Sequence, residues 1–113
     1  MNSPITTHVL DTSVGRPAQG LGITLEMESG DGWRLLGKGV TDADGRAANL
    51  ISTGHVSAGK YRLTFETGPY YAGRQVLCFF PAVEIIFVIR DATEHHHVPL
   101  LLSPYGYSTY RGS

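Results

Sequence analysis

Strict alternation of apolar and polar side chains is what most limits the folds open to this chain. Ile23, Leu25 and Met27 interleave with Thr24, Glu26 and Glu28, and Tyr61, Leu63 and Phe65 interleave with Arg62, Thr64 and Glu66. A period of two sends successive side chains to opposite faces of a strand, so each segment has one face for a core and one for water. Turn-forming clusters separate these stretches: Gly15-Arg16-Pro17, Ser29-Gly30-Asp31-Gly32, Asp42-Ala43-Asp44-Gly45 and Ser57-Ala58-Gly59. Short strands with turns about every ten residues predict an all-β, two-sheet sandwich. The pattern places eight strands, near 5–10, 21–29, 32–40, 46–50, 59–66, 82–89, 95–102 and 105–110. The stretch from Pro69 to Leu77 does not alternate, and a proline suited to a first helical turn predicts one short helix there.

With 113 residues, the chain is expected to form a single domain over 1–113. A domain of this size buries only about two-thirds of its unfolded surface, which makes oligomerisation plausible. The net charge is −1 and there is no basic run, which argues against a nucleic-acid partner. The longest apolar run, Val83 to Ile89, is broken by Glu84 and is too short to span a bilayer. Met1-Asn2-Ser3-Pro4 carries neither a charged n-region nor an apolar h-region, and Cys78 is the single cysteine. The expectation is a cytoplasmic protein without membrane contact or intrachain disulfide.

Two strands depart from simple alternation. Val83, Ile85, Phe87 and Ile89 share one face, yet Ile86 and Val88 opposite are also apolar. An outer face of that kind is expected to meet another subunit. Near the end of the chain, His96, Val98, Leu100 and Leu102 form the better core face, which turns His95, His97, Pro99 and Leu101 outward. Likewise, if Ile5, Thr7 and Val9 are core, then Thr6, His8 and Leu10 face out. Ser108 and Tyr110 share a face. Should these outward faces coincide, two imidazoles and a phenol form a polar patch. The chain runs from a Ser103-Pro104 turn into Tyr105, Tyr107 and Tyr110 and on to Ser113. An end so rich in strand formers is expected to be pinned in a sheet rather than to fray.

The residues alone leave several readings open. His95 and His97 on one side of a strand, with His8 as a third ligand, could hold a metal. No carboxylate or cysteine stands at ligand spacing, so the site is read as metal-free. Arg46 after Asp44-Gly45 could be an ordinary turn arginine. The Asp42-Ala43-Asp44-Gly45 segment lacks the later acidic ligands of a calcium loop.

Thr7-His8-Val9-Leu10-Asp11 with Gly15-Arg16-Pro17-Ala18, and Leu101-Leu102-Ser103-Pro104-Tyr105-Gly106-Tyr107-Ser108-Thr109, resemble the two signatures of the transthyretin-like proteins. The enzyme branch of that family is marked by His8 in the first motif, Arg46 in Asp44-Gly45-Arg46, His97 before Val98-Pro99-Leu100, and the ending Tyr110-Arg111-Gly112-Ser113. The resemblance spans essentially the whole chain. It implies a transthyretin-like β-sandwich with a short helix, assembled as a homotetramer (a dimer of dimers) with sites in a channel between subunits. It implies hydrolysis of 5-hydroxyisourate to 2-oxo-4-hydroxy-4-carboxy-5-ureidoimidazoline in urate degradation, without a cofactor. One departure is His96, where the family often has tyrosine. By parity His96 faces away from His97 and is expected to leave the chemistry unchanged.

On that resemblance the catalytic residues are His8, Arg46, His97 and Ser113, and the substrate-binding residues are His8, Arg46 and Tyr110. The histidines would activate water and move protons, since imidazole titrates near neutrality. Arg46 stays charged and would complement the ring oxygens or the developing anion. Tyr110 and Ser113 would bind and orient the substrate. Two rivals remain: a small-molecule carrier of the transthyretin type using the same channel, and an immunoglobulin-like interaction domain. His8, Arg46, His97 and the Tyr110-to-Ser113 ending distinguish the enzyme from the carrier.

Overall fold

The structure is a computed structural model that describes residues 3–47, 50–51 and 54–113. Among these residues the elements run β1 (Ile5–Asp11), β2 (Arg16–Pro17), β3 (Gly22–Ser29), β4 (Gly32–Val40), β5 (Arg46–Ala47), β6 (Gly59–Phe65), α1 (Thr67–Ala72), β7 (Val83–Ile89), β8 (His96–Ser103) and β9 (Gly106–Thr109). One sheet has the order β2-β1-β8-β9, with β5 also paired to β1, and the other has the order β4-β3-β6-β7. The sheets face each other across Ile5, Val9, Leu100 and Leu102 on one side and Ile23, Leu25, Leu63 and Phe65 on the other, all essentially buried. The alternation of the sequence is therefore the alternation between core and surface.

The outer face of the second sheet is polar as its pattern requires. Arg62 on β6 bonds Glu26 on β3 through Nε and Nη2, at 3.0 and 2.7 Å, and its guanidinium lies 4.4 Å from the centre of the Trp33 ring. The exception is β7, an edge strand whose Ile86 and Val88 are 55% and 43% exposed.

Three elements differ from the sequence expectation by more than one residue at a boundary. Arg16–Pro17, read as a turn, is a two-residue strand. Gly15, at φ 66°, makes the reversal, and Arg16 and Pro17 pair back onto Asp11 and Leu10. The strand expected over 46–50 is seen as Arg46–Ala47, and positions 48 and 49 lie outside the described residues. The helix begins at Thr67 and ends at Ala72 instead of running from Pro69 to Leu77. Its start is held by Thr67 Oγ1, which donates to Phe80 O at 2.6 Å, and by Gly68 N–H, which donates to Pro81 O. Its end follows from a tight turn through Gln75, whose φ of 60° leaves the helical region.

The helix presents Tyr70 and Tyr71 to a buried carboxylate. Asp11, at the end of β1, accepts from Tyr70 Oη at 2.9 Å, Tyr71 Oη at 3.2 Å, Ser13 N–H at 3.0 Å and Ser13 Oγ at 2.5 Å. Four donors replace the water that the carboxylate gives up, so an unpaired anion is tolerated in the interior. Burial, reinforced by Asp11, pushes the Tyr70 phenol up to about 12, and burial raises Tyr71 further. Both phenols thus stay protonated and keep donating. This cluster locks the helix onto the end of β1, the strand that carries His8.

Candidate active site

The central pairing of the first sheet is parallel, between strands about ninety residues apart in sequence. β1 runs beside β8 with Thr6 opposite His97, His8 opposite Pro99 and Leu10 opposite Leu101. Thr7 Oγ1 reinforces the join by donating to buried Val98 O at 2.6 Å. On the other side of β1, the antiparallel strand β5 places Arg46 directly opposite His8. Directly paired residues share a face and sit about 4.5–5.5 Å apart, with diagonal neighbours about 7–8 Å away. Arg46 and His8 are therefore side by side on the outer face, and His97 lies diagonally from His8.

Parity held for the faces. Ile5, Thr7 and Val9 are buried while Thr6, His8 and Leu10 are half-buried. His96, Val98, Leu100 and Leu102 are buried and His97 is half-buried, but Pro99 is buried too, enclosed between neighbouring strands. His96 points into the interior at 5% exposure, where its Nδ1 has no hydrogen-bond partner.

Arg46 is delivered by a rigid turn. Asp42 Oδ1 accepts from the N–H groups of Asp44 and Arg46 at 2.9 and 3.1 Å, so this carboxylate is used on the backbone. Gly45 has φ 76°, and Val9 N–H donates to its carbonyl at 2.8 Å. A Cβ on Gly45 would stand 2.4 Å from Val9 O, so only glycine lets the turn approach β1 this closely.

The chain end is pinned as its composition suggested. β9 pairs with β8 from Gly106 opposite Ser103 to Thr109 opposite Leu100, and a further bridge joins Gly112 to His97 in the same register. Gly112 N–H donates to His97 O at 2.8 Å. Arg111 is held by Glu94 at 3.5 Å and reaches the His95 carbonyl at 3.5 Å. Tyr110 lies between Thr109 and this bridge and is 59% exposed, and Ser113 is exposed one residue beyond the bridge.

His97 is the best-held side chain of the group. Its Nδ1 is 2.8 Å from Thr6 Oγ1, and the same hydroxyl is 3.0 Å from Nε2 of His95. Burial lowers the His97 pKa below its ordinary value, and the positive charges of Arg46, His95 and His8 push the same way, opposed by hydrogen bonding to the Thr6 backbone. The imidazole is thereby kept neutral and able to accept a proton at neutral pH.

The four residues expected to be catalytic are not all in one hollow of the single chain. His97 and Tyr110 line a cleft of about 330 Å³ with Phe87, Val88, Arg90 and Arg111, between β7 and the chain end. His8 and Arg46 lie outside that cleft, on the open face beside His97. A second hollow of about 600 Å³, lined by Met27, Leu36, His55 and Tyr61 among others, holds none of them. Among the described residues, no three His, Cys, Asp or Glu side chains are grouped to hold a metal ion. The sequence reading passed over three positions: Thr6, Asp11 and Gly112. Parity places Thr6 on the face of His8, but nothing local signals a hydroxyl shared by two imidazoles, and the phenol contacts of Asp11 and the contact of Gly112 with His97 are tertiary.

A model of the HIUase/Transthyretin family matches residues 5–112. The chain belongs to that family. The 5-hydroxyisourate hydrolase of Salmonella dublin is 45% identical over 112 residues, covering 99% of this chain and 82% of the Salmonella protein. The structure of Klebsiella pneumoniae 5-hydroxyisourate hydrolase superposes with a TM-score of 0.86 at 40% identity, covering 96% of this chain and 97% of that one. Sea bream transthyretin in complex with thyroxine superposes with a TM-score of 0.90 at 32% identity, covering 96% of this chain and 94% of that one. The HIUase/transthyretin backbone thus accompanies both a hydrolase and a thyroxine complex. Backbone likeness does not separate them, and the outward side chains must.

Proposed function

We propose that this chain hydrolyses 5-hydroxyisourate to 2-oxo-4-hydroxy-4-carboxy-5-ureidoimidazoline in urate degradation, with residues 1–113 acting as a single domain. The observation that carries the reading is the cross-strand pair Arg46–His8 beside a neutral, hydrogen-bonded His97. The likeness to hydrolases at 45% and 40% identity supports it. Ring opening requires water to add to an amide carbonyl, an oxyanion to be stabilised, and the departing nitrogen to receive a proton. His8 and His97 are assigned to water activation and proton transfer. Arg46 supplies fixed positive charge toward the oxygens of the substrate and the developing oxyanion. Tyr110 and Ser113 bind and orient the flat substrate. The scheme needs no metal or other cofactor, and no covalent intermediate on Cys78. A carrier of the transthyretin type would leave His8, Arg46 and His97 on this face without a task.

The assembly we infer is a homotetramer, a dimer of dimers with the site completed between subunits. Its support is that β7 and β9 are edge strands of the two sheets, and that Ile86 and Val88 on β7 and Phe79 and Leu77 before it are exposed apolar residues. A neighbouring subunit laid over the open face would enclose His8 and Arg46 with His97 and exclude bulk water. No helix among the described residues is long and apolar enough to cross a membrane. The cytoplasm is the compartment we assign, supported by the free thiol of Cys78.

The test is incubation with freshly generated 5-hydroxyisourate, followed by its ultraviolet decay. His8→Ala and His97→Ala should each lower turnover about 10²-fold while circular dichroism stays unchanged. Unaltered decay relative to buffer with the wild-type protein overturns the function, and near-normal turnover in either variant overturns that histidine's role.

A further inference from the structure

The Thr6 hydroxyl stands between two imidazoles on the outer face of the first sheet. It lies 2.8 Å from His97 Nδ1 and 3.0 Å from His95 Nε2, and the two ring centres are 6.5 Å apart with 29° between their planes. The contact is built into the fold, because strand register makes Thr6 the direct partner of His97. A hydroxyl has one hydrogen to donate. It can therefore donate to at most one ring, so at least one ring must donate to it.

Two arrangements place the hydroxyl hydrogen between the rings and satisfy both contacts. In the first, His97 Nδ1–H donates to Thr6, and Thr6 donates to His95 Nε2. His97 then keeps a bare Nε2, the form of a base. In the second, His95 Nε2–H donates to Thr6, and Thr6 donates to His97 Nδ1. His97 then carries its hydrogen on Nε2, the form of an acid. In either arrangement the tautomer of one histidine sets that of the other through one oxygen.

We propose that Thr6 is a positioning residue and proton relay, carrying the proton that His97 takes from the attacking water onward to His95 at the surface. The inference rests on the hydrolytic reading above. As the water oxygen bonds to the substrate carbonyl carbon, its O–H bond breaks and that proton goes to His97 Nε2. The Nδ1 proton passes to the Thr6 oxygen while the Thr6 hydrogen passes to His95 Nε2. One proton has entered at His97 and one has arrived at His95, which is exposed and can exchange it with solvent. When His97 gives its Nε2 proton to the departing nitrogen, the relay runs backwards and a proton returns to Nδ1. Over the cycle one water is added, one C–N bond is broken, and the three groups end as they began.

The test compares Thr6→Val, which keeps the branched shape without the hydroxyl, with Thr6→Ser, which keeps the hydroxyl. Thr6→Val should lower kcat about tenfold with KM within about two-fold, and should alter the pH profile, while Thr6→Ser recovers most of the turnover. His95→Gln should slow turnover in dilute buffer, and added imidazole should restore it by taking over as surface proton acceptor. A wild-type kcat and pH profile in Thr6→Val overturns the relay, as does a Thr6→Ser variant no better than Thr6→Val, or a His95→Gln defect that no buffer rescues. Nitrogen NMR of labelled histidines reads the coupling without substrate. His95 and His97 should titrate as a coupled pair in the wild type and independently in Thr6→Val. Independent titration in the wild type refutes the shared hydroxyl, whereas a wild-type protein inert toward 5-hydroxyisourate with coupled titration refutes the hydrolytic reading instead.

Discussion

Replacing Gly112 with alanine should disable the site while sparing the fold. A Cβ on Gly112 would stand 2.6 Å from His97 Cδ2, 3.3 Å from Cγ and 3.4 Å from Cβ. Carbon atoms in comfortable contact are about 3.5–4.0 Å apart, so the ring or the chain end must retreat by about 1 Å. The ring is restrained on its other side by Thr6, at 2.8 Å from Nδ1. If the ring moves, that bond is strained and Nε2 shifts relative to His8 and Arg46. If the chain end moves instead, the 2.8 Å bond from Gly112 N–H to His97 O is lost, and Tyr110 and Ser113 go with it. A misplacement of about 1 Å in a catalytic group costs about 10²-fold, which is the fall in turnover expected for Gly112→Ala. The stability loss should be small, because a single hydrogen bond near the chain end is worth about 1 kcal/mol, or roughly 4–8 °C in Tm. Ultraviolet decay of 5-hydroxyisourate gives the first quantity and thermal melting by circular dichroism the second. Wild-type turnover in a folded Gly112→Ala protein would show that His97 is not held between Thr6 and the chain end. A large fall in Tm would show that the bridge belongs to the core.

Three further outcomes follow from the same structure. Since burial and neighbouring cations lower the His97 pKa, its neutral, active form persists as pH falls through the ordinary imidazole value near 6.5, so the acid limb of kcat/KM should have its midpoint below that value; a midpoint at or above it contradicts the assignment. Asp11→Ala removes the acceptor of both buried phenols and should cost about 3 kcal/mol in denaturant melts, whereas a loss below about 1 kcal/mol would deny that the Tyr70–Tyr71–Asp11 cluster holds the helix. His96→Phe removes a buried nitrogen with no partner beside a cleft that can take the larger ring, so it should raise Tm or leave it unchanged with turnover intact; a destabilised variant would mean that His96 Nδ1 is satisfied in the assembled protein.

The sequence by itself determined which way each side chain of a strand faces. Parity is a local property of extended backbone, so His8 and His97 could be turned outward and Val98 and Leu100 inward before any strand had a neighbour. Turn chemistry was equally local, and Asp42 to Gly45 reads correctly as a turn, although the turn alone does not say that it delivers Arg46 to His8. The resemblance in the two end motifs carried the family. Tertiary structure alone decided that β1 and β8 lie parallel and adjacent, because nothing within either strand specifies a partner about ninety residues away. That pairing turns outward residues into neighbours, putting Thr6 against His97, and Arg46 beside His8 through β5. The helix boundary also escaped the sequence. Tyr70 and Tyr71 are placed by a buried carboxylate on a different strand, and the chain turns away soon after both phenols have reached it. Gly112 is the plainest case: a glycine near the chain end has no local reason to matter. It matters because the sheet brings it so near an imidazole already held from the other side that a Cβ there would collide with the ring.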